Sequence, residues 1–196
     1  MLTLQLTLPT SDATGIARLR YWLFEVLQVP EAAPPPSASA PAMAHHLAGL
    51  LPYLLQLAKV PVFSVAQAIT SPAETAEHGL LQLRLDWIDH FPQTLCQDLA
   101  SLALKLCVWA TQTPPGASAQ AHLFQTIQSH VIDRWAPRVP GGKSTLQVLR
   151  AAHRLGVPFL HLGGGVYQLG WGSQACRLDR SSTQHDSAYG ARLSHD

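Results

Sequence analysis

Charge is scarce in this chain. Only 13% of its 196 residues are Asp, Glu, Lys or Arg, while 47% are hydrophobic. Soluble domains ordinarily carry about twice that share of charge, so this surface is expected to meet a neighbour. The signs nearly cancel, with 13 Lys and Arg against 12 Asp and Glu. That balance gives no electrostatic footing for nucleic acid or for an acidic membrane surface. Cysteine is sparse as well. Cys96, Cys107 and Cys176 have neither zinc-ligand nor thioredoxin spacing, which reads as a reduced, cytoplasmic chain. No apolar run reaches the roughly 20 residues that a spanning helix needs. Met1 leads into an alternating pattern and not into a basic, then apolar, signal peptide. No internal repeat is visible.

What is present begins with a period of two. Leu2, Leu4, Leu6 and Leu8 alternate with polar residues, as a half-buried strand requires. Residues 17–28 place Leu19, Trp22, Leu23, Val26 and Leu27 at helical spacing. Residues 30–41 are rich in Pro, Ala and Ser and read as a mobile loop. A mostly apolar helix is expected over 43–59, with Pro52 kinking or splitting it. Residues 60–69 and 81–87 read as strands, with a polar loop over 71–77 between them. Two long helices are expected over 92–110 and 119–135. Residues 136–142, rich in Pro and Gly, mark a boundary. This order predicts an α+β first unit over 1–140, a mixed sheet with packed helices. A second unit then fills 141–196.

The second unit is the more sharply punctuated. Ser144 and Thr145 are N-cap types before Leu146, Leu149, Ala152 and Leu155 on one helical face. Gly156 stands where that helix needs a left-handed stop. A strand is expected over 157–162, then Val166 to Leu169, a Gly170-Trp171-Gly172 turn and a returning strand over 174–179. Ser182 to Asp186 should open a last helix through Ala188, Ala191 and Leu193.

The string S-T, helix, G-V-P, strand, Y-Q-L-G-W-G-x-x-x-x-R and T-x-x-x-S-A-x-x-A resembles cyanophycin synthetase, at the junction of its N-terminal domain with the ATP-grasp ligase module. The likeness is strongest over 144–196 and one of general layout before that. It implies a small α/β segment of the kind that precedes an ATP-grasp lobe. It also implies ATP and Mg as cofactors of the full ligase, in a region following Asp196. The chain itself is then expected to hold no cofactor. It would act as a peptide- or polymer-holding or assembly module that does not turn over ATP. Its partners would be the rest of the ligase, in cis or in trans, and a peptide or polyamino-acid chain. A homo-oligomer is compatible with the same surface. The rival reading is a free-standing scaffold without enzymatic activity. A third is a small hydrolase with a degenerate metal site.

Candidate residues follow from both sources. Gly142-Lys143-Ser144-Thr145 lacks the glycine that a phosphate loop needs five places earlier, where Pro137 stands without an N–H. Lys143, Ser144 and Thr145 still form either an ordinary helix start or an anion site at free N–H groups. The resemblance implies that the growing peptide's carboxylate is handled there. It likewise implies that Gln168 and Arg177, on the hairpin with Arg180, shape the substrate side, and Arg177 could pair a carboxylate with two parallel hydrogen bonds. A structural salt bridge is the alternative. Aligned on Leu55, Leu57, Ala58, Pro61 and Val62, His45 matches the first residue of the family's H-x-x-E-H. Ala48 and Gly49 replace the other two, so no hydrolytic metal site is expected and His45 should lie on the helix surface. Asp86, Asp89 and His90 read either as an acid/base cluster or as a solvated strand end, with Asp86 pointing to water and the turn capping the next helix. His122, His130, His153 and His161 have no ligand spacing.

Overall fold

The computed structural model describes residues 2–9, 11–30, 39–71, 78–86, 91–139, 144–180 and 182–183. The expected loop over 30–41, the polar loop over 71–77, Asp89, His90, Lys143 and the last helix lie wholly or mainly outside them.

Strand β1 (Leu2–Pro9) runs antiparallel to β3 (His78–Leu85), and β2 (Gln67–Ser71) pairs with the other edge of β3. Register explains the leucines. Leu2, Leu4 and Leu6 stand opposite Leu85, Leu83 and Leu81, while Thr3 faces Arg84 and Gln5 faces Gln82. One face is therefore leucine and the other polar, the arrangement a half-covered sheet needs.

Three helices share one buried core with the leucine face. Helix α1 (Ala13–Arg20) is capped by Asp12, whose Oδ1 accepts the Gly15 N–H at 2.7 Å. Gly15 lets α1 approach closely, since a Cβ there would stand 2.2 Å from Ser11 Oγ and 3.2 Å from Thr111 Cβ. The helix runs on through wider turns at Tyr21–Val26. Trp22, fully buried, donates its indole N–H to the Thr113 carbonyl at 3.0 Å.

Helix α2 (Ser39–Leu57) is not split at Pro52. Proline removes the N–H that would reach Ala48, four residues back. The Ala66 N–H donates to that carbonyl instead, at 3.3 Å. Leu47, Leu50, Leu51, Leu54 and Leu55 are all fully buried, so packing holds the helix through its missing bond. The segment expected as a strand over 60–69 pairs only from Gln67 onward. Helix α3 (Gln93–Gln112) follows, then α4 (Ala117–Ile127), wider turns at Gln128–Ile132 and the single turn α5 (Asp133–Trp135).

The second unit opens with α6 (Thr145–Arg154), followed by β4 (Phe159–Gly163), β5 (Val166–Leu169), β6 (Cys176–Asp179) and β7 (Ser182–Thr183). These strands form an antiparallel sheet in sequence order. Gly156, at φ 67°, ends α6 as expected. Ser182 does not open a helix. It pairs with Asp179, and Thr183 pairs with Leu178, because Arg180 at φ 56° turns the chain back on β6. The fold is mixed α+β with two small antiparallel sheets. Among the described residues no helix is long and apolar enough to cross a membrane.

Candidate functional site

Helix α6 has a polar and an apolar side, and its polar side carries Arg150, His153 and Arg154, three and four residues apart and so neighbours on one face. That face meets the first unit. Arg150 Nη2 donates to Gln56 Oε1 at 3.1 Å, across 94 residues of sequence. The same guanidinium lies 5.9 Å from the Phe63 ring centroid. Phe63 also meets the His153 ring at 5.5 Å and Phe159 at 6.2 Å. Deeper in the join, Phe91 meets His161 at 5.4 Å.

These contacts leave a cleft of about 480 Å³ between the units. Tyr53 and Gln56 of α2, with Phe63 and Ser64 of the extended segment, form one wall, and the α6 cations form the other. A space of this size, mixing apolar surface with several convergent polar groups, suits a small polar ligand. Arg154 is exposed and has no partner among the described residues. Gln56 is oriented, because its Nε2 donates to the Val62 carbonyl at 3.0 Å. Burial pushes the Tyr53 phenol above its ordinary value, so it stays a protonated donor at neutral pH. The nearby Asp86 is exposed, as expected, and accepts from Ser64 Oγ at 2.7 Å.

Of the residues singled out in the sequence, Gln168 and Arg177 are brought together as direct partners across β5 and β6. Gln168 Nε2 also donates to the Gly170 carbonyl at 3.2 Å. Leu160 stands opposite Gln168 on β4, and Leu160 and Leu162 are 39% and 42% exposed, so this face of the sheet is open. Ser144 holds the N-cap position of α6, but its side chain makes no cap hydrogen bond. Thr145 is buried and donates to the Arg180 carbonyl at 2.9 Å, tying the helix start to the turn after β6. None of these four lines the cleft.

The histidines divide by burial. His45 is half-buried, not on the open surface. His46 is 2% exposed, and neither ring nitrogen has a hydrogen-bond partner. Burial chiefly, with the nearby His45 and Arg20, pulls its pKa from 6.5 to about 4. His161 is buried but satisfied, since its Nε2 accepts the Gly165 N–H at 3.2 Å. Gly49 lines the cleft. Among the described residues no group of three His, Cys, Asp or Glu converges as metal ligands would.

The spacing of Arg150, His153 and Arg154 was available in the sequence and marks the polar face of α6. Nothing in the sequence indicated that Tyr53 and Gln56, about a hundred residues earlier, would stand against it. A scan against protein-family models finds no match, and a search of curated proteins returns no significant relative.

Proposed function

We propose that this chain is the N-terminal region of an ATP-dependent carboxylate–amine ligase similar to cyanophycin synthetase, and that it holds the peptide or polymer on which the ligase works. The observation that supports this reading is the cleft. Arg150, His153 and Arg154 face Tyr53 and Gln56 there, beside the Phe63 ring. Guanidinium groups offer a carboxylate paired donors in one plane. Arg150 retains further donors beyond its bond to Gln56. The Tyr53 hydroxyl supplies a neutral donor, and Phe63 gives an apolar surface for the peptide's methylene groups.

The open sheet face fits the same reading. In this proposal the row Leu160, Gln168 and Arg177 packs the remaining ligase lobe, in cis or in trans, with Gln168 and Arg177 on its substrate side. In the same proposal the start of α6, at Ser144 and Thr145, belongs to that boundary. ATP and Mg belong to the other lobe. No nucleotide step is assigned to the described residues.

Calorimetric titration with a tri-aspartate peptide tests this directly. The expected result is saturable one-to-one binding that weakens at least tenfold in Arg154→Glu, with no ATP consumed when acidic and basic amino acids are supplied. ATP turnover by this chain alone, or no peptide binding, would sink the proposal. Self-association without peptide binding would favour the scaffold.

A further inference from the structure

A second groove, of about 520 Å³, lies between α3 and the α4–α5 segment and shares no lining residue with the junction cleft. Its floor is apolar: Leu99, Leu106 and Leu123 are 1%, 8% and 2% exposed. Both ends are closed by contacts between the two walls. At one end the Trp109 and His122 rings stand 6.0 Å apart. At the other, Arg134 donates to Asp98 at 2.7 Å and lies over the Trp135 ring at 5.1 Å.

The charges between those ends have one sign. Lys105 lies one helical turn from Trp109 on the same face of α3. It is exposed and has no ion-pair partner among the described residues. Asp98 and Arg134 neutralise each other. The other titratable groups on the wall are His122 and His130, which can add positive charge only. The groove thus combines an apolar trough, two indole walls and one uncompensated cation.

We propose that this groove binds a small amphiphilic carboxylate, an alkyl or aryl acid, with its apolar body along the leucine floor and its carboxylate at Lys105. Apolar burial supplies the attraction. Lys105 then selects the anion over a neutral or cationic amphiphile. The proposal is independent of the junction cleft, because it concerns another ligand in another place.

The probe is dodecanoate below its micelle concentration, followed by the fluorescence of Trp109 and Trp135, with dodecyltrimethylammonium as the cationic counterpart. Saturable one-to-one binding of dodecanoate is expected, with no saturation by the cation. Lys105→Glu, at an exposed position, should weaken binding at least tenfold. Thr126→Trp, which fills the trough from the α4 side, should abolish it. Circular dichroism of both variants separates lost binding from lost folding. No saturable binding, equal affinity for the two probes, or unchanged affinity in folded Lys105→Glu would each overturn the assignment.

Discussion

The N–H of Ala66 donates to the carbonyl of Ala48, the acceptor that Pro52 leaves without its helical partner. This bond joins the middle of α2 to the segment that walls the junction cleft. Pro52→Ala restores the internal helical donor, which then competes with Ala66. A neutral hydrogen bond contributes about 1 kcal/mol net. Amide exchange at Ala66 should therefore speed up by about fivefold while α2 stays helical. Unchanged Ala66 protection would show that its bond owes nothing to the proline.

His46 gives a pH signature. Its pKa is lowered from 6.5 to about 4 in the fold, by burial first and then by His45 and Arg20. As pH falls the unfolded chain binds this proton before the folded one does, so stability declines with pH through that window. The loss is complete near pH 4, absent above about pH 7, and at most about 3 kcal/mol. His46→Leu should remove this part of the acid limb. It should also raise stability at neutral pH by about 1 kcal/mol, since two unpaired nitrogens leave the interior. Urea midpoints near pH 7 and pH 5 measure both effects, and parallel losses in wild type and variant would count against the assignment.

The thiols should separate sharply. Cys96 and Cys107 are fully buried, and burial pushes each up to about 12. Cys176 is only half-buried. Thiolate is the reactive form, so excess iodoacetamide near pH 8 should give one adduct, on Cys176, and three only after denaturation. Mass spectrometry of tryptic peptides reads this. Rapid native labelling of Cys96 or Cys107 would mean that the α3 core opens far more often than its packing implies.

Phe63 holds the join, between Arg150, His153 and Phe159. It is half-buried, so Phe63→Ala should cost less than a core deletion, about 2 kcal/mol. The loss should concentrate in the second unit. Exchange should quicken across β4 and β5 while β1 and β3 keep their protection. Uniform loss over both sheets would indicate one cooperative core.

Local pattern carried much of the fold. The leucines of β1 and the helical spacing of α3 each reflect one element facing one core, and such periods are visible without knowing the partner. Gly156 was equally legible, because a left-handed stop is a backbone requirement. The uninterrupted α2 was not, since the group that answers Pro52 comes from Ala66, eighteen positions past the Ala48 carbonyl it reaches. Ser182 looked like a helix cap and is a strand residue. Its pairing depends on the turn at Arg180, where no glycine signals the left-handed φ. The burial of His46 was hidden because α2 is apolar nearly all round and shows no face. The cleft was half legible: the α6 cations share a face by spacing, but Tyr53 and Gln56 reach them only through tertiary packing.

The most direct test of the peptide-holding role is amide chemical-shift mapping with tri-aspartate. Shifts should concentrate at Tyr53, Gln56, Phe63, Ser64, Arg150 and Arg154, and vanish in Arg154→Glu. Shifts confined elsewhere, or none at saturating peptide, would contradict the assignment of this cleft.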